Sequence, residues 1–130
     1  MRHRLISQYF DALFSRVQSS PIVNAHNISF DIRGLRVGFI RGIITFIDQS
    51  ELHVRELVDL AVPNSRVAYA YHYQNLSHQL IFRYENTPHF PDLSTFPHHK
   101  HVDNENNVIE SLPLNIFEVL DEIEMLNRWD

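Results

Sequence analysis

The chain of 130 residues contains no cysteine and only three glycines. Without cysteine it forms neither disulfides nor thiolate zinc sites, and a reducing compartment is expected. No apolar run approaches the roughly 18 residues that a membrane-spanning helix needs. The N-terminal sequence lacks the cleavage pattern of a secretory signal peptide. These absences predict a cytoplasmic protein without a membrane-spanning segment.

The composition is that of a folded protein with an uneven distribution of charge. Hydrophobic residues make up 44% of the chain, enough to bury the core of one domain spanning residues 1–130. Residues 1–102 carry ten basic and eight acidic side chains together with all nine histidines, whereas residues 103–130 carry eight acidic side chains and one arginine. A mildly basic body before an acidic tail indicates anion binding by the body, or alternatively an acidic helix with a solvated face.

Hydrophobic periodicity predicts two helices on either side of a series of strands. Apolar residues recur at helical spacing over residues 4–18, and Pro21 ends that segment. A second helix is predicted over residues 116–127, where Asn115 and Glu118 have the spacing of a capping box. Strands joined by short turns lie between them. The predicted fold is α+β, an antiparallel meander of five or six strands packed by an N-terminal and a C-terminal helix.

Two features interrupt the strand pattern. Gly38 and Gly42 lie inside an apparent strand and predict a bulge or a bend. After Tyr84 the alternation stops, and residues 86–112 are rich in proline and poor in periodic apolar positions. A long segment of this kind is usually functional or disordered. We expect residues 103–112 to be a mobile loop.

Titratable side chains are concentrated in two short segments, residues 82–89 and residues 95–101, the second reading Thr-Phe-Pro-His-His-Lys-His. Histidine exchanges protons near neutral pH, and lysine and arginine bind phosphate. Cleavage of RNA without a metal needs a base for the 2′-hydroxyl, an acid for the departing 5′-oxygen and cations for the phosphate. The expected catalytic residues are His89, His98 and His101, and the expected substrate-binding residues are Arg83, Lys100, Tyr73, Tyr84 and His72.

Two other interpretations of the histidines stay open. His98, His99 and His101, with His89 or His72, could fill a zinc or nickel site. Adjacent histidines on an irregular loop match no recognised ligand spacing, however, and the run contains no carboxylate, so we expect no metal and no cofactor. The remaining interpretation is structural, with histidines that cap turns or pack on aromatic rings.

Three motifs occur in a fixed order, YHYQ at residues 71–74, LIFRYENTPH at 80–89 and STFPHHKH at 94–101. In sequence and spacing they resemble the TumE-like toxin family of prokaryotic toxin–antitoxin modules. The resemblance implies a small cytoplasmic toxin with ribonuclease activity, neutralised by direct binding of a cognate helix-turn-helix antitoxin. The family pattern carries a second histidine where this chain has Phe90. That departure makes His89 the more important of the pair.

We therefore expect a toxin that acts as a metal-independent endoribonuclease on cellular RNA. The alternative is a non-enzymatic binding module, in which the basic, histidine-rich face docks an acidic protein partner. An exposed edge strand of the meander also provides a surface for forming a homodimer.

Overall fold

A computed structural model describes residues 3–127 and shows the predicted α+β fold. Helix α1 spans Ile6–Gln18 and helix α2 spans Ile116–Leu126. The strands between them are β1 Val23–Ile32, β2 Val37–Phe46, β3 Glu51–Asp59, β4 Arg66–Gln74, β5 Leu80–Glu85, β6 His99–Val102 and β7 Val108–Glu110. The capping box predicted at Asn115 and Glu118 is confirmed, since the Asn115 side chain accepts a hydrogen bond from the Glu118 backbone N–H.

All seven strands form one antiparallel sheet in which each strand pairs with the next along the chain. The meander is thus confirmed, but it has seven strands where five or six were predicted. The additional strands, β6 and β7, lie inside residues 86–112, which lack apolar alternation. Strand β6 reads His-Lys-His-Val and buries its two histidines, so its buried positions are occupied by polar residues. Pairing with β5 makes this segment a strand.

The turn between β6 and β7 is formed by Asn104, whose side-chain oxygen accepts the backbone N–H groups of Asn106 and Asn107 at 2.9 and 3.0 Å. Asparagine side chains commonly fix turns in this way. The mobility expected of residues 103–112 stays a prediction, although this segment includes β7.

Both helices pack on one face of the sheet, called here the helix face. Tyr69, Tyr71 and Tyr73 of β4 point to it and are at most 5% exposed. The core also includes apolar residues of α1, of α2 and of the neighbouring strands. The opposite face, called here the open face, is covered by neither helix. Because side chains alternate along a strand, every second residue of β2–β6 belongs to the open face.

Helix α1 lies so close to β2 that there is no room for a side chain at Gly38. A Cβ atom there would lie 2.5 Å from Phe10 Cζ and 2.7 Å from Ile6 Cγ1. The pairing of β2 with β3 runs without a shift through Gly38 and Gly42. The bulge is therefore wrong, since neither pairing of β2 shifts at these glycines, and the alternative of a bend stays a prediction. At position 38 the glycine permits close packing of the helix.

We expect Gly38→Ala to lower the free energy of unfolding by about 1–3 kcal/mol, since overpacking forces the helix away from the sheet. Urea denaturation measures the change. Gly34→Ala is the matched control, because its Cβ would meet Val37 at an ordinary 3.9 Å. If Gly38→Ala were as stable as the control, the close packing of α1 on β2 would be wrong.

Candidate functional site

The strand register places two transverse rows of side chains on the open face. The first row contains Ile43, His53, His72, Arg83 and His101, and the second contains Arg41, Arg55, Ala70, Glu85 and His99. Opposite residues of antiparallel strands have Cβ atoms about 4.5–5.5 Å apart. Polar and titratable side chains from five strands are thereby collected on the face that the helices leave uncovered.

Arg41 and Arg55 are exposed and lie directly opposite each other on β2 and β3. Within residues 3–127 neither guanidinium has a carboxylate within 4.0 Å, while Arg41 lies 5.4 Å from the centre of the Phe39 ring. They line a groove of about 410 Å³ together with Asn27 and Ser29. Like charges at opposite positions destabilise a sheet. An unneutralised pair of this kind indicates a place for an anion.

His53 and His72 are opposite residues of β3 and β4, with ring centroids 5.9 Å apart. His53 Nε2 lies 3.2 Å from Glu51 Oε1, and His72 Nε2 lies 3.0 Å from Gln74 Oε1. Arg83 Nη1 is 3.4 Å from His72 Nδ1. Burial, reinforced by the charge of Arg83, lowers the pKa of His72. The site therefore contains two partly exposed imidazoles beside a cation, and one of them favours its neutral form.

Next to Arg83, a carboxylate–histidine cluster is formed by Glu85, His99 and His101. The three side chains are 11%, 1% and 5% exposed. Nε2 of His101 lies 3.0 Å from Glu85 Oε2, and Nε2 of His99 lies 3.7 Å from the same oxygen. Each Nδ1 atom lies 2.9 Å from a backbone carbonyl, that of Pro97 for His99 and that of Glu105 for His101. Both imidazoles are therefore fixed in orientation.

Hydrogen bonds keep the Glu85 side chain of this cluster ionised. Arg83 Nε donates to Oε2 at 2.6 Å, and Thr87 Oγ1 donates to Oε1 at 2.9 Å. Burial raises the pKa of Glu85, but these bonds and the charge of Arg83 outweigh it and place the pKa below its usual value. The ring of Phe90 lies 4.8 Å from that of His99 and shelters the cluster.

Three of the predicted substrate-binding residues lie on the helix face. Lys100 Nζ is 3.3 Å from Glu122 Oε2 of α2 and 4.6 Å from the centre of the Tyr84 ring. Tyr84 donates its hydroxyl hydrogen to Glu122 Oε1 at 2.5 Å. Tyr73 is buried, and its hydroxyl lies 2.9 Å from Ser50 Oγ. The structure thus brings together Arg83, His72 and His101 on the open face but separates the other three from them.

The other two predicted catalytic histidines also lie apart from His101. His98 Nδ1 is 2.8 Å from the hydroxyl of Tyr69, on whose ring it stacks, and Tyr69 belongs to the helix face. Burial, followed by the charge of Arg66, lowers the pKa of His98. His89 is exposed in the connection between β5 and β6. The catalytic roles of His89, His98 and His101 stay predictions.

Sequence reasoning missed four residues of the open face, namely His53, Glu85, Arg41 and Arg55, and it named His99 only as a possible metal ligand. For His99 a signal existed, because residues 99 and 101 share one face if the segment is a strand. For His53 and Glu85 the information lies in the register of paired strands, which no local pattern specifies.

Comparison with known proteins identifies one family. The model of the toxin TumE family matches residues 13–127, a range that contains every strand, α2 and the C-terminal part of α1. No curated protein and no solved structure matches the chain. Neither helix in residues 3–127 is long and apolar enough to cross a membrane. Both rows of the open face and the carboxylate–histidine cluster lie inside the matched range.

Proposed function

The chain belongs to the TumE toxin family, and we propose that it is an endoribonuclease that cleaves cellular RNA on the open face of its sheet. A member of this family is the toxin component of a toxin–antitoxin module, and its partner is a cognate antitoxin. The observation that carries the ribonuclease proposal is the pair of imidazoles, His53 and His72, 5.9 Å apart beside Arg83.

The proposed reaction uses the 2′-hydroxyl of the RNA as nucleophile. Neutral His72 takes the proton of that hydroxyl, the 2′-oxygen bonds to phosphorus, and the bond from phosphorus to the 5′-oxygen breaks. Protonated His53 gives its proton to the departing 5′-oxygen, and its Nε2 atom lies 3.2 Å from Glu51 Oε1, which fixes the orientation of the ring. The products carry a 2′,3′-cyclic phosphate and a 5′-hydroxyl, and no metal takes part in the step.

Cations of the open face supply the electrostatic part of the mechanism. Arg83 lies against His72, and its Nη atoms pair with the exposed carboxylate of Glu105. An RNA phosphate that displaces this carboxylate brings the negative charge developing on its oxygens against Arg83. Arg55 and Arg41, one row away, bind the phosphates of flanking nucleotides. Binding through phosphates predicts an affinity for RNA that falls steeply with salt concentration.

We expect RNA fragments produced by the purified protein to end in 2′,3′-cyclic phosphate and 5′-hydroxyl groups, because the 2′-oxygen is the proposed nucleophile. Enzymatic end-labelling and mass spectrometry of the fragments identify both ends. Fragments with 5′-phosphate ends would show attack by water and would contradict the mechanism. Intact RNA after prolonged incubation at low salt would contradict the activity itself.

The competing function is that of a non-enzymatic docking module, favoured by the unneutralised pair of Arg41 and Arg55. Both functions predict growth arrest on expression and relief by the co-expressed antitoxin. They differ in the RNA of the arrested cells, which is fragmented by a ribonuclease and intact with a docking module. The helix-turn-helix class of the antitoxin, homodimer formation and the cytoplasmic location remain proposals.

A further inference from the structure

Two buried nitrogen atoms of the carboxylate–histidine cluster lack the partners that buried polar atoms normally have. Among the buried side-chain nitrogen and oxygen atoms of residues 3–127, Nε2 of His99 and Nε2 of His101 make no hydrogen bond. Although Nε2 of His101 lies 3.0 Å from Glu85 Oε2, the ring nitrogen is not directed at this oxygen in hydrogen-bond geometry. An unsatisfied buried group requires an explanation, such as the binding of an ion.

The tautomer of each imidazole follows from the hydrogen bond that its Nδ1 atom makes. Nδ1 of His99 and Nδ1 of His101 each lie 2.9 Å from a carbonyl oxygen, which only accepts, so each Nδ1 carries a proton. A neutral imidazole protonated there has a lone pair on Nε2. Two such lone pairs and the Glu85 carboxylate then converge in a sheltered space, where they repel one another. A cation between them removes this repulsion, and metal-binding histidines are commonly held through Nδ1 in this way.

We propose that Glu85, His99 and His101 bind a divalent transition-metal cation, with Zn²⁺ as the best-fitting example. The three ligand atoms all lie within 4.8 Å of one another. Bonds of about 2.1 Å to a tetrahedral zinc place ligand atoms ~3.4 Å apart. Glu85 Oε2 lies 3.0 Å from Nε2 of His101 and 3.7 Å from Nε2 of His99. These two distances bracket that value. Two imidazoles and one carboxylate suit zinc or iron better than calcium or magnesium.

Charge balance around the cluster also permits a dication. Arg83, which donates to Glu85 at 2.6 Å, is itself neutralised by Glu105, whose Oε1 lies 2.6 Å from Arg83 Nη1. The bound cation links β6, through His99 and His101, to β5, through Glu85. It thereby fixes the position of Glu85, the carboxylate to which Arg83 donates a hydrogen bond. His101 then acts as a ligand and has no nitrogen left for proton transfer, because Nδ1 is bonded to a carbonyl.

Metal content of the untagged full-length protein tests the proposal. After removal of metal with a chelator and titration with Zn²⁺, we expect one equivalent per chain by elemental analysis and a midpoint of thermal unfolding about 5 °C higher. His99→Ala and His101→Ala are expected to retain less than about a tenth of an equivalent. His78→Ala removes an exposed histidine outside the cluster and is expected to bind like wild type. Loss of zinc from this control as well, or failure of wild type to take up zinc, would overturn the proposal.

A conservative variant separates loss of a ligand from loss of the fold. Glu85→Gln keeps the size of the side chain but replaces the anionic ligand, and circular dichroism establishes whether the variant is folded. We expect Co²⁺ to give wild type the visible absorption of a four-coordinate site and to give folded Glu85→Gln none. An unchanged Co²⁺ spectrum in the variant would place the metal elsewhere. Because neither measurement uses RNA, the result is independent of the proposed ribonuclease activity.

Discussion

Replacement of His72 by alanine is expected to lower kcat for RNA cleavage about 10²–10⁴-fold, with little change in KM, because general base catalysis contributes that much in the transition state. His53→Ala is expected to have an effect of the same order. The double variant should lose little more than either single variant, since the two imidazoles act in the same step. Single-turnover cleavage of a short RNA at low salt measures these rates.

The pH dependence of cleavage provides a signature of His72 that a purely structural role would not produce. Burial and the charge of Arg83 lower the pKa of this histidine. The base is active when unprotonated, so kcat/KM should rise with pH through an apparent pKa below the usual value for histidine of about 6.5. This acidic limb of the pH profile should disappear in His72→Ala. If the active site lay elsewhere, the remaining activity of the variant would still show the limb.

His98→Ala is the decisive comparison, because the sequence pattern favours His98 as acid or base while the structure places it against Tyr69 on the other side of the sheet. We expect its cleavage rate to stay within about threefold of wild type, a change that corresponds to less than 1 kcal/mol of transition-state stabilisation. A loss of 10²-fold or more in His98→Ala, with normal cleavage by His72→Ala, would support the sequence-based assignment and contradict the open-face site.

Strands were predictable where one face of the sheet is apolar. Along β4 the tyrosines at 69, 71 and 73 alternate with smaller or polar residues, and this pattern identifies both the strand and its buried face. Strand β6 escaped prediction because its buried positions are His99 and His101, side chains that hydrophobic periodicity counts as polar. In the interior their Nδ1 atoms are bonded to backbone carbonyls, and their Nε2 atoms lie beside the Glu85 carboxylate. A local pattern shows neither contact.

The candidate site was only partly predictable for a related reason. Proximity along the chain grouped His98 with His101. Because side chains alternate along a strand, however, residues two positions apart share a face and residues three positions apart do not. The residue that actually joins His99 and His101 is Glu85, brought there by the pairing of β5 with β6. Arg83 and His72 were recognised from their residue type and motif, and the register places them side by side.

Glu56→Ala is expected to lower the free energy of unfolding by about 3–5 kcal/mol, which is the range for removing one partner of a buried charged network. Glu56 lies on the helix face of β3 and is fully buried. Its carboxylate accepts a hydrogen bond from the Tyr9 hydroxyl at 2.6 Å and another from the Tyr71 hydroxyl. Arg66 Nη1 lies 3.1 Å from the same Tyr71 hydroxyl. Truncation therefore leaves two buried hydroxyls without an acceptor and a guanidinium without its counter-charge.

The pH dependence of unfolding distinguishes the charge of Glu56 from its hydrogen bonds. Burial raises the pKa of this carboxyl, although the bonds from Tyr71 and Tyr9 oppose the shift. A folded-state pKa above the unfolded value means that the folded protein binds more protons, so this group's contribution to stability is complete below about pH 4.5 and is lost as pH rises. We expect Glu56→Gln, which keeps an acceptor oxygen and cannot ionise, to lose less stability than Glu56→Ala and to flatten this dependence.

Tyr9→Phe is the matched control, because it removes one donor from the network and leaves Glu56, Tyr71 and Arg66 in place. A single buried hydrogen bond to a charged group contributes about 1.5–3 kcal/mol, so this variant should be clearly more stable than Glu56→Ala. Urea denaturation of the three variants between pH 4.5 and 7.5 gives the comparison. If Glu56→Ala lost less stability than Tyr9→Phe, the carboxylate would contribute nothing beyond the Tyr9 bond. The link that it makes between α1, β3 and β4 would then be energetically unimportant.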